Sequence, residues 1–272
     1  MTHDFLIPLI TSALAEDIGT GDVTSQLLIA EDAQATMHFT ARHDMVLCGA
    51  DVPGLVYAQL DARVKVTKKA EDGARLSAGS IIATASGPAR AILTGERTAL
   101  NIMQRMSSVA TVTRAYVDAV SGTKAKILDT RKTMPGMRLV DKYAVRMGGG
   151  VNHRMGLYDA VLVKDNHIAG NPDFVRKLSA LPKRLPVYVE CDTLAQLAAV
   201  IDTKPDRIML DNMSLEMLCE AVRLTNGRVK LEATGGVNLG NVRAVAETGV
   251  DYISIGAITH SAPAVDIGLD AV

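Results

Sequence analysis

The residues best suited to chemistry stand at the ends of short apolar runs. In the second half of the chain, AKILD, DAVLVK, VYVE, RIMLD, VKLE and DYISIG finish in Asp129, Lys164, Glu190, Asp211, Glu232 and Gly256. A buried strand gives no reason to end on a charge. The parallel strands of a barrel do, because their C-terminal ends share one face and that face carries the active site. Glu190 and Asp211 end consecutive runs. Two adjacent carboxylates suit a hard cation such as Mg²⁺, which takes one or two of them plus phosphate oxygens. The same pair would equally serve as acceptors for loop amides or a lysine. The last two runs open into glycine turns, LEATGGVN at 231–238 and SIGAITHSA at 254–262. Small residues there let backbone N–H groups approach a phosphate, and barrels often hold phosphate in the loops after their last strands.

The stretch 129–167, DTRKTMPGMRLVDKYAVRMGGGVNHRMGLYDAVLVKDNH, sets seven cations against four carboxylates, in a chain whose formal net charge is −1. A local excess with glycines and the pair His153-Arg154 reads as an anion pocket. Arg131, Lys132, His153, Arg154 and Lys164 are the expected contacts. Lys142 and Arg146, at i,i+4 spacing, are expected on a helix surface outside the site. A strand-end lysine such as Lys164 also admits a Schiff-base role. The chain has no G-x-S-x-G elbow, no G-x-x-x-x-G-K-[ST] loop and no H-E-x-x-H pair, which removes three common catalytic designs. Cys191 follows Glu190 with nothing to activate it, and is expected as a small buried hydrophobe.

These residues need a scaffold, and the hydrophobic pattern supplies one. From residue 124 the strand-like runs alternate with helical stretches such as TLAQLAAVIDT and SLEMLCEAVRLT. Strand alternating with helix implies a parallel sheet. Six units are countable, two short of an eight-fold barrel, so an incomplete or six-stranded barrel is expected first and an open doubly wound sheet second. From about residue 30 to 88 the texture differs: ATMHFTA, MVLCGA, VKVTKKA and SIIATAS are short runs broken by turn residues. They predict a small β-rich unit of hammerhead or lipoyl-like type. Between the two lies a predicted helix, about Ala89 to Ser108. Its Ile92, Leu93, Ala99, Leu100, Met103 and Met106 share a face, with Glu96 inside that face and Arg97 at its edge. Helix geometry alone makes Glu96 and Arg97 an ion pair closing an interface. The alternative is that Arg97 reaches into a site.

Composition narrows the function classes. A chain of 272 residues makes one large domain or two modest ones. The balanced charge, the 3% aromatic content and the absence of Trp argue against nucleic acid as a partner. No apolar run approaches the ~18 residues of a membrane helix. The opening MTHDFLIPLITSALAEDIG is broken by His3, Asp4 and Pro8 and has no basic start. It is expected as a helix rather than a signal peptide. Cys48, Cys191 and Cys219 lack C-x-x-C spacing, so neither a disulfide framework nor a zinc knuckle is expected. A cytoplasmic α/β protein without membrane contact is the expectation.

Seven segments occur in a telling order: EDIGTGDVTS (16–25), GERTALN (95–101), DTRKTMPGMR (129–138), KYAVRMGGGVNHRMGLYDAVLVKDNHI (142–168), IMLDNM (208–213), LEATGG (231–236) and DYISIGAITHSA (251–262). Over nearly its whole length the chain resembles the quinolinate phosphoribosyltransferase family. The resemblance implies an N-terminal α/β sandwich of hammerhead type over residues 1–110, to which a tail, 264–272, returns. An open six-stranded α/β barrel would follow over 111–263. It implies transfer of a phosphoribosyl group from 5-phosphoribosyl 1-diphosphate to quinolinate, with Mg²⁺ required, giving nicotinate mononucleotide, diphosphate and CO₂. It implies a homodimer with shared sites, or a higher oligomer.

The resemblance also assigns roles. Arg97 of GERTALN matches an arginine delivered from the neighbouring subunit, which reverses the reading from helix geometry. Arg131 and Lys132 match substrate-anion contacts, and His153 and Arg154 match quinolinate-pocket residues. Lys164 matches the site lysine. Glu190 and Asp211 match the carboxylates near ribose and Mg²⁺. Thr234, Gly235, Gly256 and His260 match a 5′-phosphate cradle. Lys164, Glu190 and Asp211 are thus the expected catalytic set. Three positions depart from the family pattern: Thr234 for serine, Ser108 for glycine and Cys191 for an aliphatic residue. Two other readings stand beside this one: a paralogue of the same fold associated with molybdate transport operons and acting on another base, and a non-catalytic phosphoribosyl-ligand sensor. Retention of Lys164, Glu190 and Asp211 argues against a sensor.

Overall fold

The computed structural model describes residues 4–164, 173–179 and 184–272. The chain divides into two compact units. One holds Met1–Arg114, Met134–Gly149 and Ala262–Val272; the other holds Ala115–Thr133 and Gly150–Ser261.

The first unit is built on an antiparallel sheet ordered β12-β1-β5-β3, from β1 (Gln34–Ala41), β3 (Lys65–Lys68), β5 (Ile81–Pro88) and β12 (Ile267–Ala271). A two-stranded sheet pairs β2 (Met45–Val46) with β4 (Arg75–Leu76), so only the first two residues of the MVLCGA run are strand. Along β1, Phe39 and Ala41 are buried two residues apart, the period of a strand with one covered face. Helices α1 (Ile7–Ile18), α2 (Val23–Leu28) and α3 (Val52–Leu60) accompany this sheet. Helix α1 buries Ile10 and Leu14 at i,i+4 spacing. The Tyr57 ring of α3 lies 6.5 Å from that of Phe39.

Helix α4 runs from Ala89 to Ala119, well past the expected end at Ser108. Ile92, Ala99, Leu100, Met103 and Met106 are buried on it as the periodicity predicts. Ser108, where the resemblance implies glycine, uses its hydroxyl twice: it donates to Gln104 O at 2.6 Å and accepts the Val265 N–H at 2.9 Å. That bond holds the returning C-terminal segment to α4. Helix α5 (Arg138–Met147) also belongs to this unit. Arg105 binds the buried Asp141 through two bonds, 2.9 and 2.8 Å. A Cβ on Gly148 would stand 2.5 Å from Ala110 O, so α5 ends against α4 at a residue without a side chain. Lys142 is fully buried, which corrects its expected place on a helix surface. Arg146, four residues on, is exposed, with its guanidinium 5.4 Å from the Tyr143 ring centre.

The second unit carries the predicted parallel sheet. Strands β6 (Lys126–Leu128), β7 (Val161–Val163), β8 (Val187–Cys191), β9 (Arg207–Asp211), β10 (Lys230–Thr234) and β11 (Tyr252–Ser254) are ordered β6-β11-β10-β9-β8-β7. Every pairing is parallel, and among the described residues no ladder joins β6 to β7, so the six-stranded barrel is open. The intervening helices start where side chains cap them. Thr193 and Gln196 form a capping box before Leu194–Val200, and Ser214 caps Leu215–Thr225.

The register sorts side chains onto two faces, because neighbouring in-register residues share a face and successive residues alternate. Val189, Ile208, Leu210, Leu231, Ala233 and Ile253 are buried on one face. Leu210 and Ala233 line a cavity of about 260 Å³ with Leu218 and Val245 of the covering helices. Tyr188, Glu190, Arg207, Asp211, Glu232, Thr234, Tyr252 and Ser254 take the other face, the barrel interior. Strand β10 runs on to Thr234. Glu232 therefore does not end its strand at the mouth, as the sequence pattern suggests, but lies two residues deeper and fully buried. Among the described residues no helix is long and apolar enough to cross a membrane.

Candidate active site

All the expected site residues except Arg97 lie in the second unit. At the C-terminal ends of β7, β8 and β9, Lys164 Nζ donates to Glu190 Oε2 at 2.6 Å. Asp211 stands beside this pair. Burial and the nearby charges of Glu190 and Asp192 push its carboxyl above the usual range, against the pull of Lys164 and a bond from Asn212. Asn212 Nδ2 reaches Asp211 Oδ2 at 2.9 Å, and the Asn212 backbone N–H donates to Thr234 O at 2.9 Å. Asn212 sits at φ +53°, a left-handed conformation that asparagine tolerates better than most residues. It thus joins the acid to the next strand's turn.

A carboxylate whose pKa is raised by a neighbouring carboxylate marks a site short of positive charge. Glu190 and Asp211 fit a divalent cation on that ground. Among the described residues no cluster of three His, Cys, Asp or Glu could enclose one. The donor set therefore matches a metal that arrives with phosphate oxygens, as Mg²⁺ typically binds.

The glycine turns flank this acid pair. Thr234 is in register with Asp211. Gly235 follows at φ +84°, and a Cβ there would fall 2.2 Å from Asn212 Oδ1. After β11, a Cβ on Gly256 would come 3.0 Å from Lys132 Cδ and 3.2 Å from the His260 ring. Thr259 Oγ1 donates to Lys132 O at 2.8 Å, fixing the lysine's backbone to the same turn. Lys132, Gly256 and His260 are thus brought together. The helix after Gly256 is a single turn, Ala257–His260.

The basic bend that follows β6 is held by Asp129, which is fully buried. It accepts from Asn152 Nδ2 at 2.5 Å and from the His153 N–H at 2.8 Å. Asp159 holds the following bend through the N–H groups of Met155 and Gly156. The Arg154 guanidinium donates to Ala160 O at 3.0 Å. Burial and the adjacent Arg131 pull its pKa down from the ordinary arginine value. A half-buried guanidinium repelled by a second, exposed one is what an anionic ligand relieves.

Beneath this layer lies a group the sequence reading missed. Arg207 Nη1 donates to Glu232 Oε2 at 2.5 Å, and the Ser254 hydroxyl donates to Oε1. The Arg207 guanidinium lies 4.7 Å from the Tyr188 ring centre and 4.0 Å from that of Tyr252. His153 stands edge-on to Tyr188 at 5.3 Å. The signal was available: residues 188, 207 and 252 lie two or four positions before 190, 211 and 254, and a strand's period of two sends them to the same face.

Arg97 lies in the first unit, exposed, with Glu96 3.9 Å away. Asp165, Asn166, His167 and Ile168 of the long basic motif lie outside the described residues. Cys191 is buried as expected, and burial pushes its thiol up to about 12. Lys164, for which a Schiff-base role was also open, is paired with Glu190 at 2.6 Å.

Comparison with known proteins bears directly on this arrangement. The description of the quinolinate phosphoribosyl transferase N-terminal domain matches residues 22–107, and that of the C-terminal domain matches residues 109–270. The chain belongs to the quinolinate phosphoribosyl transferase family. A curated family member from Mycobacterium leprae (strain TN), nicotinate-nucleotide pyrophosphorylase (carboxylating), is 46% identical over 96% of this chain and 95% of its own. A Bacillus subtilis (strain 168) protein, named a probable nicotinate-nucleotide pyrophosphorylase (carboxylating), is 40% identical over 99% of this chain and 94% of its own. Among solved structures of the family, the nicotinate-nucleotide pyrophosphorylase from Francisella tularensis superposes with a TM-score of 0.94 at 44% identity, covering 100% of this chain and 98% of that one. The two-part architecture of quinolinate phosphoribosyl transferases, an N-terminal α/β sandwich and an open six-stranded barrel, is the fold described above.

Proposed function

We propose that this protein transfers a phosphoribosyl group from 5-phosphoribosyl 1-diphosphate to quinolinate, with decarboxylation, in NAD biosynthesis. One observation carries the reading: a Lys164–Glu190–Asp211 cluster and two glycine turns meet an arginine- and histidine-bearing bend at the ends of one parallel sheet. Quinolinate has two carboxylates and its co-substrate has a phosphate and a diphosphate, so anions must be met on both sides. Arg131, His153 and Arg154 would hold the dicarboxylate. Thr234, Gly235, Gly256 and His260 would hold the 5′-phosphate, with Lys132 beside them. Glu190 and Asp211 would face the ribose. Mg²⁺, held by these two carboxylates and the donor's oxygens, would offset charge on the departing diphosphate.

No protein nucleophile is required in this scheme. The side chains orient the pyridine nitrogen toward C1′ as the C1′–O bond loosens, and positioning with fixed charge supplies the rate. Lys164, paired with Glu190, would lie at the centre, near the anions of both substrates. Once the nitrogen is alkylated the C2–carboxylate bond can break: CO₂ leaves, the electron pair stays on C2 as a carbanion stabilised by the adjacent pyridinium, and C2 takes a proton from water. Arg97 would come from a second copy of the chain in a homodimer or larger assembly, closing the site with another cation. Three free thiols suit a cytoplasmic setting.

The test is CO₂ release by the purified protein with quinolinate, 5-phosphoribosyl 1-diphosphate and Mg²⁺, with nicotinate as the control acceptor. CO₂ and nicotinate mononucleotide should form with quinolinate alone, and EDTA should stop both. Turnover with nicotinate but not quinolinate, or none with either, refutes the assignment.

A further inference from the structure

We infer that Glu232 is a positioning residue for the acceptor pocket and acts through His153, an inference that rests on the reaction proposed above. The carboxylate is fully buried and both of its oxygens are engaged. Oε2 accepts from Arg207 at 2.5 Å; Oε1 accepts from the Ser254 hydroxyl and faces His153 Nε2 at 3.6 Å. Both bonds favour the charged carboxylate, working against the burial that raises its pKa. Arg207 has little freedom between the rings of Tyr188 and Tyr252, so the carboxylate is clamped in turn.

The other side of the imidazole fixes its proton. His153 Nδ1 accepts the Arg154 backbone N–H at 2.7 Å. A nitrogen that accepts carries no proton, so a neutral ring keeps its hydrogen on Nε2, directed at Glu232. The carboxylate, facing Nε2 at 3.6 Å and so beyond hydrogen-bond distance, reinforces that tautomer by its charge and sets the tilt of the ring. Because the ring in turn receives the N–H of Arg154, it also steadies the backbone of the next acceptor contact. Outer groups that orient a site residue in this way set its affinity and rate.

Stability alone does not account for the arrangement. Apolar side chains of similar volume in place of a buried ion pair usually leave a fold as stable or more so. A barrel interior filled with Arg207 and Glu232 spends desolvation where leucines would serve. What leucines cannot do is hold an N–H-bearing imidazole at one angle.

The experiment compares Glu232→Gln and Ser254→Ala with the wild type in steady-state kinetics and in imidazole ¹⁵N NMR. Glu232→Gln should raise the KM for quinolinate about tenfold while the KM for the phosphoribosyl donor stays within about twofold. The His153 resonances should leave the pure Nε2–H tautomer. Ser254→Ala keeps the Arg207–Glu232 pair and frees only the oxygen facing His153. It should raise the quinolinate KM by about two- to fivefold, and it decides the matter if Glu232→Gln does not fold. An unchanged quinolinate KM in a folded variant, or an equal rise in both KM values together with a lowered Tm, overturns the inference. A wild type that releases no CO₂ from quinolinate defeats the proposed reaction instead. The tautomer readout needs no substrate, so unchanged His153 resonances in both variants would still show that Glu232 does not govern the ring.

Discussion

Asp211 is held where a carboxylate is costly. Burial and the charges of Glu190 and Asp192 raise its pKa above the ordinary 3.8. The native state therefore keeps this proton to a higher pH than the unfolded chain does. The stability it contributes is present at low pH, falls as pH rises from 3.8 through the raised folded value, and is absent at neutral pH. Asp211→Asn removes that cost. Its Tm at pH 7 should lie slightly above the wild type, while kcat/KM falls about 10- to 100-fold, the worth of one charge-assisted contact. Differential scanning calorimetry beside the CO₂ assay checks both halves; a variant both less stable and fully active contradicts the assignment. This residue was legible from sequence because a charge at the end of an apolar run needs a reason. Arg207 and Glu232 carry the same information less openly. Arg207 begins its run, and Glu232 was read as the end of its run because Ala233 and Thr234 look like the start of the glycine turn. A buried pair is indistinguishable in sequence from two surface charges.

At the scale of elements, the six parallel strands were readable from their β-branched cores, and their ends only to within two residues. A strand's end is set by where its neighbour stops pairing, a tertiary matter that local sequence does not encode. Helix α4 outran its expected length for a related reason: its apolar face continues through Val109, Ala110 and Tyr116. The two glycine turns separate backbone need from space need. Gly235 has φ +84°, and a Cβ there would collide with Asn212 at 2.2 Å. Gly235→Ala should destabilise the fold by roughly 1–3 kcal/mol for the backbone alone, with further loss as Asn212 is pushed off Asp211. Gly256 sits at an ordinary φ of −67°. Gly256→Ala should fold normally, yet its methyl would press on Lys132 and His260 and raise the donor KM about tenfold, a loss of one phosphate contact. Urea unfolding and donor-dependent kinetics on both variants test this contrast. Equal stability loss in the two would mean that the turns serve the same purpose.

The whole molecule was legible as two textures, a β-rich start and an alternating remainder, because each unit has its own core. The assignment of α5 to the first unit was not, since Lys142 and Arg146 read as a solvated helix surface while Lys142 and Asp141 are in fact buried. Arg97 poses the same question in reverse. Its side chain is 60% exposed and its approach to Glu96, 3.9 Å, is that of a weak surface pair. The proposed function assigns this arginine to the site of a second copy of the chain, where it would meet a substrate anion. In a two-fold dimer with shared sites, each site draws Arg97 from one subunit and Lys164 from the other. A hybrid of an Arg97→Ala subunit and a Lys164→Ala subunit then contains one site with both defects and one with neither. Random mixing of equal amounts makes about half the dimers hybrids, so activity should recover to about a quarter of the wild type. The parent variants should each be nearly inactive. If every site is built from one chain, no mixture of the two variants can contain an intact site, and verified hybrids will stay as inactive as their parents.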